Sequence, residues 1–481
     1  MVAQLTEFIT EVRGDMRLHD LVVRPSFSRG LIFISMILVF QCSPGSKNYD
    51  DMSEKYPVEP PVYSEIIRES RERPDLLDEN SPEGLQMVQI TTNQAVGSHN
   101  VYTEAQVFTP DSRKFVFIRQ RNIWLCDIED DFSLRQITDE KGAMAPSVSP
   151  DGKWMYYLVN NTSTFGGALF LKRVSLDNFE RQTVLKLEGP VPGTKFRPNG
   201  YFTVSSISSD GKRFCIGVFL GDGKTVNAPF GLLVFDLEEP SVRLVFQDKC
   251  FHNMHPQYCR STDPELSHDI MLQNNHGDSL LVTGRCVRSV TGREGDLHVI
   301  RDDGTNWRDV PVGRDSVQFI QGHEQWLGRT GYVLSAMRIR DGERAGDRPI
   351  FLAWPVPTDE KTRHMGVKIP GGKYVEITRN IVDADIWHFS SDLTGKYLVS
   401  DTHRIDKKTK KPLVRLVLGT LSREESPELK IVHLLNTGSS GRNPAHPHPF
   451  FSPDNRMVFF NSDIDGTVQI FMVTGYRFPQ I

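Results

Sequence analysis

The feature that most narrows the possible folds is a short turn that recurs along the chain between pairs of apolar segments. Its clearest copies are Val107-Phe108-Thr109-Pro110-Asp111-Ser112, Val148-Ser149-Pro150-Asp151-Gly152 and Ile207-Ser208-Ser209-Asp210-Gly211. Weaker copies run from His255 to Asp263, from Gly322 to Gly331 and from His388 to Gly395, and a strong one closes the series between Phe451 and Asn455. Each reads as strand, turn, strand. Each is followed by a further strand rich in aliphatic and aromatic residues, from Ile123 to Ile128 in the first copy and from Val468 to Val473 in the last. Six of the seven then continue into an outer strand such as Leu134 to Thr138, but the last copy runs out at Ile481. Met87-Val88-Gln89-Ile90-Thr91 resembles that outer strand and has no earlier strands of its own to complete.

A strand from the N-terminal side that completes the last unit closes a ring and removes its exposed edge. Residues 85–481 are therefore expected to form one all-β domain, a seven-bladed β-propeller whose N-terminal strand closes the last blade. Each unit buries its faces on its neighbours, so a long chain still makes one domain. An eight-bladed ring or two stacked sandwiches are the competing architectures.

The chain before residue 85 has a different character. Residues 30–40 (GLIFISMILVF) are an uncharged apolar run of 11 residues, short for a bilayer span and the right length for the core of a signal peptide. The run ends at Gln41-Cys42-Ser43, a loose lipoprotein cleavage site with Cys42 as the acylated residue. Residues 1–42 are thus expected to export the protein to the periplasm or to an outer-membrane or cell-surface location, with membrane attachment through a lipidated Cys42. Residues 43–84 read as a polar, Pro-rich linker followed by a short surface helix from Tyr63 to Glu79, broken at Pro74.

Charge excludes one class of partner. A net charge of −5 argues against wholesale binding of nucleic acid, and a polyanionic ligand would need a local cluster of cations or a metal. The six cysteines lack metal-ligand or disulfide-scaffold spacing, although Cys250 and Cys259 are close enough in sequence to pair. A monomer is expected. No Gly-x-Ser-x-Gly elbow is present, so a peptidase of the propeller-plus-hydrolase type lacks its catalytic domain.

In a propeller, residues at the entrances of the innermost strands converge on the central channel. That turns scattered histidines into a possible constellation. His99 precedes the first blade, His255 and His276 fall in the fourth, His323 heads the fifth, His388 the sixth, and His446 and His448 the seventh. If residues 446–448 are extended, both imidazoles emerge on one face, close enough to share a metal ion. Neutral imidazole suits borderline divalent metals, and the plainer alternative is a polar channel lining. His19, His364, His403 and His433 have no such placement and read as surface residues.

The stretch Asn443-Pro444-Ala445-His446-Pro447-His448-Pro449, with Gly322-His323-Glu324-Gln325-Trp326, His255-Pro256, Asn275-His276-Gly277 and Ser98-His99-Asn100, resembles the oligogalacturonate lyase family. The family comprises seven-bladed propeller polysaccharide lyases with TolB-like repeats. The resemblance implies a manganese-type divalent ion held by His323, His446 and His448. The family's fourth ligand, a Gln three residues before the first histidine of His-Pro-His, falls here on Asn443, whose side chain is one methylene shorter. The family's base, from a His-Glu-Gly motif, falls on His276, where the Glu is missing. His99, His255, Arg260, Arg329 and Arg442 are then the expected substrate contacts, because guanidinium pairs with carboxylate in bidentate fashion; Arg285 is a further one of this kind.

The resemblance implies β-elimination on oligogalacturonides or related uronate oligosaccharides, hence pectin degradation. Removing a C5 proton α to a carboxylate becomes easier when a divalent cation offsets the carboxylate's charge and a neutral imidazole stands ready. The reading from a different class is a non-catalytic TolB-like propeller that binds a glycan or a protein at the cell surface.

Overall fold

A computed structural model describes residues 56–160, 167–201, 204–249, 251–275, 279–288, 295–314, 318–358, 369–381, 385–405, 412–422 and 424–481. Residues 1–42, with the apolar run and Cys42, lie outside them, as do His276 and Cys250. Among the described residues no helix is long and apolar enough to cross a membrane.

The recurrent turn is built the same way in several blades. Ser149 Oγ donates to Asp151 Oδ1 at 2.5 Å, and the Trp154 N–H returns to Ser149 Oγ at 3.0 Å. The Lys153 N–H completes the turn by donating to Asp151 Oδ1 at 3.1 Å. Thr109 with Asp111, Ser208 with Asp210 and Ser452 with Asp454 repeat the device. The residue after each Asp has positive φ, 72° at Gly152 and 73° at Gly211, which glycine adopts without a Cβ penalty. A local side-chain code thus sets these four strand reversals next to the channel.

Between these turns the described strands form seven antiparallel sheets of four or five strands, plus one small hairpin at Ser279–Leu280 and Cys286–Arg288. The sheets are the blades of a seven-bladed propeller, each in contact with the next and the seventh with the first. Closure is as expected: Gln86–Gln89 pairs with Gln469–Thr474, in register from Gln86 opposite Thr474 to Gln89 opposite Phe471. Apolar packing seals the same joint. Phe115 of the first blade and Phe459 of the seventh, both fully buried, lie 4.9 Å apart by ring centroid. Burying one such ring is worth about 1.5–3 kcal/mol.

The structure departs from the expected linker over residues 56–84. Val58–Glu59 adds a fifth strand to the second blade, and Arg71–Glu72 adds one to the seventh. Ile67 forms a bridge to Leu134 of the first blade. In place of the helix expected from Tyr63 to Glu79 there is one 3₁₀ turn, Pro74–Leu76. The charges of this stretch pair with the blades. Glu69 accepts from the buried Arg119 at 2.7 Å, and Arg73 reaches Asp465 at 2.7 Å. Likewise Lys172 bridges Glu59 and Glu140. An insertion late in the fifth blade also returns to the ring: Val356–Pro357 pairs beside the outer strand Arg308–Asp309 of the fourth.

Candidate metal and substrate site

Three irregular segments carry histidines to one mouth of the channel. In Gln318–Trp326 the ladder slips between Ile320 and Glu324, where Gly322 has φ 87°. In Ile386–Ser391 it slips between Ile386 and Phe389. Such bulges re-aim side chains, and here they carry His323 and His388.

The third segment is not the extended strand its sequence suggests. Regular pairing begins only at Phe450–Phe451, and His448 has φ 43°. Pro447 and Pro449 remove two ladder donors, and side-chain amides supply the missing bonds. Asn100 Nδ2 donates to the His448 carbonyl at 2.7 Å, and Asn461 Nδ2 to the His446 carbonyl at 3.1 Å. Asn100 and Asn461 also bond each other. The clamp joins the first blade to the seventh and fixes both imidazoles.

A ring nitrogen of each of His388, His446 and His448 lies within 4.8 Å of the others. The His323 ring sits 4.3 Å from that of His388, and its buried Nδ1 has no hydrogen-bond partner. Asp401 supports the cluster from behind. Its carboxylate accepts from the His388 backbone N–H at 2.7 Å and pairs with His388 Nδ1 at 2.9 Å and His403 Nε2 at 3.1 Å. His403 in turn stacks on Trp387 at 4.4 Å.

Burial pushes His323 and His448 well below the ordinary histidine range, and neighbouring histidines push them further. His446 falls to about 4 for the same two reasons. All three are neutral at physiological pH, the state in which imidazole ligates metal. Asp401 behaves oppositely. Burial alone would raise it, but His388 and His403 hold it well below the usual carboxylate range.

Tyr102 borders the cluster, its ring 4.8 Å from His448 and 5.3 Å from His255. His255 Nδ1 faces two buried carboxylates, Glu324 at 3.4 Å and Glu104 at 3.9 Å. Burial raises Glu104 to about 7. Burial lowers His255, yet the two carboxylates outweigh it and the net shift is upward. His99 is half-buried in the inner strand of the first blade, with Nδ1 2.9 Å from the Asn100 carbonyl.

The arginines lie elsewhere. Arg260 and Arg329 line a cavity of about 320 Å³ framed by Pro110, Pro150, Asp392 and Pro453, the turns that follow the inner strands. Those turns mark the channel mouth opposite the one where the inner strands begin. Arg260 also donates to the Glu104 carbonyl at 3.1 Å. Arg285 is exposed in the small hairpin, and Arg442 and Asn443 are exposed in the loop before His446. A second cavity, of about 630 Å³, adjoins the histidines and is lined by Asp385, Trp387, His403 and Arg404. Ligand sites commonly fall at about 300–1,000 Å³.

His403 is therefore not the surface residue its position suggested. It shares a face of Tyr397–Ile405 with Asp401 two residues before it, a signal the sequence carried. His433 is half-buried, with Nε2 3.3 Å from Asp78. Cys259 is buried and free. His276 lies outside the described residues, just after the buried end of Asp269–Asn275.

The donor set fits a divalent metal: neutral imidazoles converge, and one buried nitrogen lacks a protein partner. No protein-family model matches the chain. Over 420 residues it is 22% identical to an oligogalacturonide lyase of Pectobacterium atrosepticum, across 81% of this chain and 93% of that protein. The crystal structure of an oligogalacturonate lyase from Vibrio parahaemolyticus matches with a TM-score of 0.59 at 17% identity, over 87% of this chain and 98% of that one. An oligogalacturonate lyase in complex with manganese matches with a TM-score of 0.60, also at 17% identity, over 88% and 98%. The structural matches are likenesses of fold. With the sequence match they bear out the family resemblance seen in the motifs.

Proposed function

Taking the chain as a relative of the oligogalacturonate lyases, we propose that it is a metal-assisted β-elimination lyase of oligogalacturonides or related uronate oligosaccharides. The observation that carries this reading is the convergence of the imidazoles of His388, His446 and His448, with His323 beside them, at one channel mouth next to a cavity large enough for sugar units. His323, His446 and His448 would hold the metal. When bound, a divalent cation offsets the charge of a uronate carboxylate, so that negative charge developing at C5 costs less.

The protein's own groups supply the rest. His276, following the anchored strand end at Asn275, takes the C5 proton; Asn275 Nδ2 fixes that end by donating to the His252 carbonyl at 2.6 Å. The electron pair left at C5 forms the C4–C5 double bond as the bond from C4 to the glycosidic oxygen breaks, and that oxygen takes a proton from water as it departs. His99 and His255 contact the neighbouring sugars. The apolar run at residues 30–40 and Cys42 support a location outside the cytoplasm, where pectin fragments arrive.

The test is incubation of the purified full chain with Mn²⁺ and a panel of uronic-acid oligosaccharides, following ultraviolet absorbance of the unsaturated product. Absorbance that grows only with metal, and not with His446→Ala, is the expected result. Silence across the panel in folded, metal-loaded protein overturns the lyase reading in favour of a binding module.

A further inference from the structure

We infer that the fourth side chain of the metal set is the imidazole of His388 in the sixth blade, not the amide of Asn443, with Asp401 as its positioning residue. The inference rests on the divalent-metal part of the reading above. It concerns which of this chain's residues make the site.

Placement is the first argument. A ring nitrogen of His388 is within 4.8 Å of ring nitrogens of both His446 and His448, and its ring is 4.3 Å from that of His323. Among the described residues it is the one histidine whose ring contacts all three. Asn443, in contrast, is exposed between the exposed Arg442 and Pro444. Its amide also sits one methylene closer to the backbone than a glutamine amide.

Orientation is the second argument. His388 Nδ1 is 2.9 Å from Asp401 Oδ2, while Asp401 Oδ1 accepts the His388 backbone N–H at 2.7 Å. With Asp401 ionised, Nδ1 carries the proton and Nε2 keeps its lone pair for a cation. A carboxylate behind a ligating histidine fixes its tautomer, fixes its orientation and raises its basicity. His403, bonded to the same carboxylate and stacked on Trp387, keeps Asp401 in place. The grouping of His388, Asp401 and His403 is satisfied by its own hydrogen bonds, so it supports the site and is not a second one.

Burial is the third argument. His388 is 2% exposed on a strand whose next residues pack in the core, so its ring has little freedom to turn away. A buried imidazole held in place from behind, with its ring against three other imidazoles, has the form of a ligand waiting for a cation.

The experiment titrates the full chain with Mn²⁺, reads free aquo-ion by electron paramagnetic resonance, and counts coordinated imidazole nitrogens by electron spin-echo modulation. Asp401→Asn should weaken binding by about 10–100-fold, the usual cost of losing a partner behind a ligand. His388→Gln should weaken it further and remove one coordinated nitrogen, whereas Asn443→Ala should leave affinity and nitrogen count unchanged. Melting of each metal-free variant shows that it is folded, and a His388→Asn variant replaces any that is not. An unchanged nitrogen count in the His388 variants overturns the inference, as does a loss with Asn443→Ala equal to theirs. No Mn²⁺ binding by the unsubstituted protein overturns both this inference and the proposed function. Binding that depends on His388 without turnover leaves the inference standing and removes the lyase reading alone.

Discussion

Two buried histidine regions in this molecule treat the same side chain in opposite ways. In the channel, His323, His388, His446 and His448 crowd together around one nearby carboxylate, Asp401, which His388 shares with His403. In the fourth blade a single imidazole, His298, lies between two carboxylates. Its Nε2 is 2.9 Å from Asp296 and its Nδ1 2.5 Å from Asp309, with no exposed surface on any of the three. Arg314 approaches both carboxylates, and Trp307 donates to Asp309 at 3.0 Å.

Burial is the largest influence on His298 and lowers its pKa, but the two carboxylates more than offset it and the pKa is raised. In the channel the single carboxylate of Asp401 opposes burial without overcoming it, and the neighbouring imidazoles add to burial. The ratio of carboxylates to imidazoles therefore decides the role. His298 is a structural cation within a network of balanced charge, whereas the rings of His323, His446 and His448 stay neutral and available to a metal.

The largest effect should come from breaking the balanced network. Asp309→Ala leaves His298 and Arg314 buried with one carboxylate between them, and removing one partner of a buried ion network costs about 3–5 kcal/mol. Urea unfolding of metal-free protein should show this as a lower midpoint at unchanged slope. A loss below about 1 kcal/mol would mean that His298 is neutral and that the contrast between the regions fails.

The next effect belongs to the channel's frame. Asn461→Ala withdraws the amide from the His446 carbonyl and from Asn100, leaving buried polar groups unsatisfied at about 1–3 kcal/mol. The same variant should also weaken Mn²⁺, because it loosens the segment that presents two ligands. Loss of stability with metal affinity intact would show that the clamp serves the ring closure and not the site.

How legible these regions were follows from the distance between the partners in sequence. The blades could be read because their turn is local: Ser149, Asp151 and Gly152 complete it within four residues. The motif histidines could be read because His446 and His448 are two apart and His323 stands next to Glu324 and Trp326. The support behind His388 could not, because Asp401 is brought beside it by pairing of Ile386–Ser391 with Tyr397–Ile405 in a register altered by a bulge. Residues 56–84 looked like a linker because their partners, Arg119, Lys172 and Asp465, lie far along the chain. The extended form expected for residues 446–448 failed because pairing through Asn100 and Asn461 permits the left-handed backbone at His448.

A smaller effect separates the regions by pH. The folded pKa of His298 lies above its unfolded value of about 6.5, so its contribution is fully present below that pH and is lost as pH rises through the folded value. Unfolding midpoints of the native protein and of His298→Gln should thus be furthest apart near pH 6 and converge at alkaline pH. Divergence with rising pH would reverse the assigned charge state.

The smallest expected effect is the most discriminating. His446→Ala removes a half-buried, neutral ring that sits among other imidazoles and has no carboxylate of its own. Metal-free stability should therefore change by no more than about 1 kcal/mol, while Mn²⁺ affinity falls by more than the about 100-fold upper value for losing an outer partner. A side chain that matters so much more to metal than to folding is there for the metal. If metal-free stability instead dropped as far as with Asp309→Ala, the channel histidines would be packing elements like His298, and the distinction between the two regions would rest on charge alone.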